Sequence, residues 1–386
     1  MNRVCSIFAQ LIRLVPRSEF EQAVRKHQAE KHAKGFSCWG QLNAMLFCQL
    51  GQAQSLREIS GGLASIGGKL KHLGLEQAPK RSTLSYANEH RPWQLYETAF
   101  HQLLHKCQET MGPRTKFRFK NRLVSLDATS IDLCASVFDW AKFKQTKGAV
   151  KLHLVLDHAG YLPSFAVLTT GQVSDIAVAR NLQFAAGTVV VFDRSYIDYR
   201  WLRRLGSEDI YFVTRMKKDM KYKVVRKRSS SRRGAIRRDE DIAIRSVRHG
   251  VVLRLRRIVL WDAERKEKLV FLTNHMKLAA STIAAVYKDR WQIEIFFKSL
   301  KQLLRVKTFV GTSANALKIQ MWTALMAVLI LKFLQWRAQH GWSLSNLVAM
   351  LRFQLFVYRD LETWLDNPEQ LPPELLSGPE QLELAI

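Results

Sequence analysis

Tyr287, Arg290, Glu294 and Lys301 set one carboxylate among two cations and a phenol. At roughly 100° per residue in a helix, the four fall within about 60° of one another. Ile293, Phe296, Phe297, Leu300, Leu303 and Leu304 occupy the adjoining arc. The spacing predicts a helix buried along one side, with phosphate-binding groups flanking an acid beside it. It also suits a solvated helix face carrying an i,i+4 ion pair from Arg290 to Glu294.

Two aspartates upstream favour the first reading. Asp127 ends Arg122-Leu-Val-Ser-Leu-Asp127, and Asp193 ends Thr188-Val-Val-Val-Phe-Asp193. Each follows a short apolar, β-rich run of the buried-strand type, which puts it at the rim of a sheet. Three carboxylates gathered there would resist ionisation unless a cation neutralised them. Oxygen ligands with no Cys or His partner favour Mg²⁺ or Mn²⁺ over zinc. Two such ions about 4 Å apart can activate an attacking oxygen and stabilise the leaving oxygen of a phosphodiester.

At these residues the chain resembles a known family, the DDE transposases of bacterial insertion sequences, specifically the fourth insertion-sequence family with its Tyr-x2-Arg-x3-Glu-x6-Lys signature. Here it reads Tyr287-Lys-Asp-Arg290-Trp-Gln-Ile-Glu294-Ile-Phe-Phe-Lys-Ser-Leu-Lys301, matching in type and spacing at every signature position. With the Asp127 strand and the Asp193-Arg194 pair, the resemblance covers roughly residues 117 to 340. It implies that Asp127, Asp193 and Glu294 are catalytic residues and metal ligands on a ribonuclease-H-like α/β core. It further implies that Tyr287, Arg290 and Lys301 hold DNA near the cleaved end; Arg194, beside Asp193, joins the expected DNA contacts.

Composition agrees. The 386 residues are enough for two or three domains, and 47% hydrophobic content opposes disorder. Sixty Lys plus Arg against 33 Asp plus Glu give a net charge of +27, which favours a polyanionic partner, nucleic acid first. The cysteines are odd in number and lack a CxxC pair, so neither a disulfide framework nor a zinc site is expected, and a reducing cytoplasm fits best. The opening residues are interrupted by charge and read as a short amphipathic helix rather than a signal peptide. The longest apolar tract, Met321 to Leu331, is too short to span a bilayer and predicts a core helix.

Residues 1–115 read as a helical DNA-binding domain. Ser18-Glu-Phe-Glu21 and Ser55-Leu-Arg-Glu58 fit capping boxes, and Gly61-Gly62 and Gly67-Gly68 read as breaks. Ser82 is expected to cap a helix that presents Ser85, Asn88 and Arg91 to a major groove; an ordinary basic bundle is the alternative. Residues 116–345 read as the catalytic core, its sheet completed by a hairpin over 151–169, a helix from Ser174 to Ala186 and a strand over Asp209 to Thr214.

A β-rich basic insertion over 216–277 is expected to interrupt the core. Arg215 to Arg238 hold 12 Lys or Arg and one acid. Arg226, Lys227, Arg228, Arg232 and Arg233 are the candidate phosphate contacts, although a charge run also suits a solvated face. In related transposases the corresponding insertion supports a DNA hairpin and an aromatic wedge for a flipped base. Trp261 is the candidate wedge, with core packing as the other reading. Residues 346–386 read as a helical segment and an acidic tail.

The reading is therefore a cut-and-paste transposase acting on double-stranded DNA at the terminal inverted repeats of its element and in target DNA. It is expected to use two Mg²⁺ or Mn²⁺ ions and to pair ends as a homo-oligomer, a dimer in the end-paired complex. It is placed in the bacterial cytoplasm at the nucleoid, with no membrane association. A domesticated, non-catalytic DNA-binding regulator and a metal-dependent nuclease of the same fold are the alternatives.

Overall fold

The structure, a computed structural model, describes residues 5–370 apart from 32, 34, 113–115, 134–137, 139, 141, 145–146, 229–233, 247–249 and 305–308. The end of the acidic tail, the Ser229-Ser-Ser231 run, Arg232 and Arg233 lie outside the described residues. Two compact units divide the chain: Gly112–Lys298, and Met1–Met111 together with Ser299–Ile386.

Caps and apolar faces set the first helices: α1 (Ile7–Ile12), α2 (Arg17–Lys26), α3 (Cys38–Leu50), α4 (Leu56–Ala64), α5 (Arg81–His90) and α6 (Gln94–Met111). Ser55 caps α4 as predicted, accepting from Glu58 N at 3.2 Å, while Glu58 Oε2 accepts from Gln54 N at 2.9 Å. The other expected caps are corrected. Ser18 lies inside α2, which begins after Pro16, and Ser82 lies inside α5, which begins after Lys80. Gly61 and Gly62 do not break α4; a Cβ at Gly62 would stand 2.8 Å from the Phe47 ring, so glycine there permits close packing on α3.

In Gly112–Lys298, β-branched runs build one sheet. Its strands are β1 (Leu123–Leu133), β2 (Lys142–Lys144), β3 (Lys147–Asp157), β4 (Leu162–Thr170), β5 (Val189–Phe192), β6 (Tyr211–Arg215), β7 (Lys223–Lys227), β8 (Ile236–Ser246), β9 (Val251–Asp262) and β10 (Glu267–Thr273). Their order among the described residues is β2-β3-β1-β5-β6-β10-β9-β8-β7, with β4 also paired to β3. β1, β5 and β6 run parallel. The expected insertion is therefore not a separate subdomain: β10 pairs directly with β6, Phe271 opposite Arg215, and carries the same sheet onward. Buried Arg256 grips Asp239 with two bonds of 2.8 and 2.6 Å, and Arg257 reaches Glu240 at 2.8 Å. These pairs tie β8 to β9, where a slip of one residue would turn each charge to the other face.

Helices cover both faces. Val124, Leu126, Val190, Phe192 and Phe212 pack with Trp201, Leu202 and Leu205 of the helix Tyr199–Ser207. The expected helix from Ser174 to Ala186 shrinks to α7 (Asp175–Ala179), which makes Tyr199–Ser207 α8. Leu123, Val189, Val191 and Val213 face the opposite way, against Ile283 and Val286 of α9 (Ala280–Asp289). α10 (Trp291–Leu304) follows, and the unit boundary falls within it, after Lys298.

The sequence reading carried the catalytic core to residue 345, whereas everything from Ser299 onward clusters with the N-terminal helices. The cause is α11 (Ala314–Arg337), apolar on every side and packed with α3, α5 and α6. A helix of that kind must be enclosed. It is long and apolar enough to cross a membrane, but 89% of its most apolar stretch is buried inside the protein. α12 (Leu344–Gln354) and α13 (Leu361–Asp366) complete the fold. Buried Trp364 and Leu365 show that the acidic segment after Asp360 begins as a docked helix, not a free tail.

Candidate functional site

Asp127 and Asp193 sit one step beyond the last paired positions of the parallel strands β1 and β5, Leu126 opposite Phe192. Alternation sends both side chains to the face that carries Val189, Val191 and α9. Asp127 Oδ1 accepts from Ala128 N at 2.9 Å, and Asp193 Oδ1 accepts from Ser195 N at 3.0 Å. Burial raises the Asp127 pKa to about 6, and Glu294 and Asp193 push the same way, against the Ala128 N–H and Arg290.

Glu294, in the first turn of α10, faces Arg290 at 2.7 Å, and the same guanidinium lies 3.4 Å from Asp127 Oδ2. Tyr287 and Glu294 do not share one helix as the spacing predicted. α9 ends at Asp289 and α10 begins at Trp291, with Arg290 N bonded to Tyr287 O at the junction. The break brings the Arg290 guanidinium 5.4 Å from the Tyr287 ring centroid and between the two carboxylates.

Among the described residues no three His, Cys, Asp or Glu groups stand close enough to enclose an ion. The donor set nevertheless suits a hard divalent cation: every candidate ligand is a carboxylate oxygen, and Glu294 Oε2 is buried with no partner. Arg290 pairs with both Asp127 and Glu294 and offsets their charge.

The other candidates divide. Lys301 is exposed further along α10, beyond the unit boundary. Arg194 is exposed and lines a 360 Å³ cleft with Asp193, Ser195, Lys217, Lys218 and Asp219. Lys217 and Lys218 belong to the basic run but were not singled out by sequence; only the fold brings them to Asp193. Lys227 is exposed, and Arg226 keeps 66% of its side chain exposed while pairing with Asp241. Arg228 is corrected: it bonds Asp241 at 2.6 Å and Met276 O at 2.7 Å, so its charge is spent internally.

Asn88 and Arg91 are corrected too. Asn88 is 1% exposed and accepts from Gln41 Nε2 at 2.7 Å. Arg91 is buried and donates to Phe36 O, Ser37 O and Gln41 Oε1. Ser85 on the same stripe is exposed, while Arg91, just past the end of α5, is turned inward by the Phe36 and Ser37 carbonyls that lead into α3. Trp261 is half-buried opposite Lys268, in the hairpin between β9 and β10. It stands three residues, about 10 Å of strand, past the Ile258–Phe271 pair that is level with the end of β6.

Three other acids of this unit have local work. Asp157 takes Arg122 at 2.8 Å and the turn N–H of Ala159 at 2.9 Å. Asp198 caps α8 through Trp201 N, and Asp175 takes Lys151 at 3.1 Å. Sequence reasoning missed a buried chain through Ser125, His158 and Asp289, joined from the surface by Lys116. No spacing signals residues that lie as much as 173 positions apart.

Asp127 and Asp193 thus end neighbouring parallel strands at one rim of the sheet, with Glu294 on the helix at the same face and Arg290 between Asp127 and Glu294. Residues 118–330 match the transposase DDE domain, and residues 4–76 match a domain family of unknown function. The chain is 30% identical over 260 residues to y4zB of Sinorhizobium fredii, named as a transposase, covering 66% of this chain and 71% of that one. It is 30% identical over 276 residues to the protein named as transposase of insertion sequence element IS5377 of Geobacillus stearothermophilus, covering 70% and 72%. A third relative, named for element IS4SA of Synechocystis, is 24% identical over 245 residues, 61% of this chain and 67% of that one. A piggyBac transposase synaptic complex with hairpin DNA aligns at a TM-score of 0.41 and 10% identity over 90% of this chain and 77% of that one, too distant to carry an argument. The chain belongs to the DDE transposase family of insertion sequences. It is a DNA-cleaving enzyme that depends on a divalent metal.

Proposed function

We propose that this transposase excises its own element at terminal inverted repeats and joins the freed ends to target DNA, with Asp127, Asp193 and Glu294 as catalytic residues and ligands of two Mg²⁺ or Mn²⁺ ions. The observation that carries the reading is the register of Asp127 and Asp193 at the ends of parallel β1 and β5, with Glu294 over the same face. The order β4-β3-β1-β5-β6, antiparallel then parallel, supports a ribonuclease-H-like core. When bound, the ions supply charge stabilisation to the attacking and leaving oxygens.

The chain's own groups do the rest. Water attacks the phosphodiester at the element end, and the bond to the departing 3′-oxygen breaks to leave a 3′-hydroxyl and a 5′-phosphate. That hydroxyl then attacks a second phosphodiester, in the opposite strand to close a hairpin or in target DNA, and displaces another 3′-oxygen. Arg290 and Tyr287 steady phosphate oxygens beside Glu294. Lys301, Arg194, Lys217, Lys218, Arg226 and Lys227 track the backbone, along with Arg232 and Arg233, which lie outside the described residues, and Trp261 receives an unstacked base. The N-terminal helices hold the repeat, two copies pair the ends, and the work is done in the cytoplasm at the nucleoid, away from membranes.

The test is incubation of purified protein with labelled element ends and plasmid target in Mg²⁺. Strand-transfer products are expected. Hydrolysis alone would return the protein to a nuclease, and binding without cleavage would return it to a regulator.

A further inference from the structure

Ser125, His158 and Asp289 form a continuous buried chain. Ser125 Oγ lies 2.7 Å from His158 Nε2, and His158 Nδ1 lies 2.7 Å from Asp289 Oδ2. Lys116 Nζ donates to Asp289 Oδ1 at 2.8 Å, and the Tyr161 hydroxyl donates to Asp289 Oδ2 at 3.1 Å. The order repeats that of a nucleophilic Ser-His-Asp triad. Ser125, however, has no exposed surface, and His158 and Asp289 are each 4% exposed. No substrate reaches that hydroxyl, so Ser125 is not a nucleophile.

Its placement is informative. Ser125 precedes Asp127 by two residues on β1 and points to the same face, while Asp289 immediately precedes Arg290 at the junction of α9 and α10. His158 sits in the turn after β3 and contacts both. One anchor is thus about 7 Å of strand from a catalytic carboxylate, and the other is one residue from the arginine that contacts Asp127 and Glu294. Fixed anchors of this kind set the geometry of reacting groups, where about 1 Å of error can cost on the order of 100-fold in rate.

We infer that Ser125, His158 and Asp289 are positioning residues that lock the strand of Asp127 to the Arg290 junction and so hold Arg290 in its working place between Asp127 and Glu294. The inference rests on the proposed role of Arg290 in cleavage. Charge balance supports the lock: the hydrogen bonds from His158 and Lys116 outweigh burial and bring the Asp289 pKa down to about 2, so an ionised carboxylate is anchored inside the protein.

A double-mutant cycle decides it. Single-turnover cleavage, end binding and melting temperature are measured for Asp289→Asn, Arg290→Ala and the pair, with His158→Ala and His158→Gln beside them. Asp289→Asn is expected to slow cleavage by about 10- to 100-fold with end binding retained, and to slow the Arg290→Ala protein by less than about threefold, because both losses remove one geometry. His158→Gln, which keeps a donor and an acceptor, is expected to recover most of the rate lost in His158→Ala. Independent losses that multiply in the pair would overturn the positioning role, as would an Asp289→Asn protein that cleaves normally. Normal cleavage by Arg290→Ala would instead remove the function assigned to Arg290 itself. If Asp289→Asn fails to fold, the two His158 proteins carry the test: equal rates for them would overturn the inference.

Discussion

Arg290 lies 2.7 Å from Glu294, while the second Glu294 oxygen is buried without a partner. The guanidinium thus neutralises a carboxylate that a divalent cation would also claim. Removing it should relieve that competition. Arg290→Ala should bind Mn²⁺ about tenfold more tightly in calorimetric titration, since a partly buried pair worth about 1.4 kcal/mol corresponds to one decade. Weaker Mn²⁺ binding would mean that Arg290 supports the ion rather than standing in its place.

His153 is buried between Thr169 and Asp175, and desolvation lowers its pKa from the ordinary 6.5 to about 4. The folded state therefore holds this imidazole neutral where the unfolded chain takes up a proton. Stability from this site is complete above pH 6.5 and falls as the pH drops from 6.5 towards 4, by up to roughly 3 kcal/mol. Urea midpoints across that range should fall less steeply for His153→Gln than for the parent. Parallel curves would place the acid sensitivity elsewhere.

Arg91 ties the chain before α3 to the end of α5, through Phe36, Ser37 and Gln41. Arg91→Ala should cost about 2–4 kcal/mol, because buried acceptors lose their donor. An Arg91 that read DNA from an exposed face would instead leave thermal unfolding unchanged and weaken end binding.

Exposed cations should show themselves through salt. Replacing Arg194, Lys217, Lys218 and Lys227 by Gln should flatten the plot of log affinity against log salt by about 0.9 for each phosphate no longer neutralised. Arg228→Gln should leave the slope alone and lower the melting temperature, given its bonds to Asp241 and Met276. A reversed pattern would mean that Arg228 turns outward on DNA.

The candidate acids were legible as a pattern: Asp127 and Asp193 end apolar strands and Glu294 stands four residues after Arg290, places where a carboxylate is costly unless paired or used, and their catalytic role is the proposal. The β-rich character of 216–277, which holds β7 to β10, was legible through its β-branched runs. Their continuation of the main sheet was not, since a one-dimensional pattern carries no pairing partner. Asn88 and Arg91 misled because a polar stripe looks alike whether it meets DNA or buried carbonyls. The break at Arg290 was hidden for a related reason: a tight turn between two helices keeps nearly the helical period.

Single-turnover cleavage of a labelled element end tests the central claim most directly, with Asp127→Asn, Asp193→Asn and Glu294→Gln compared with the parent in Mg²⁺ and in EDTA. Each amide keeps its shape but loses the charge that holds a divalent ion. Losing several kcal/mol of transition-state stabilisation, each variant should cleave about 100-fold more slowly or worse. End binding should stay near that of the parent, and EDTA should silence the parent itself. Parent-like cleavage by any of the three, or by the parent in EDTA, would contradict the assignment.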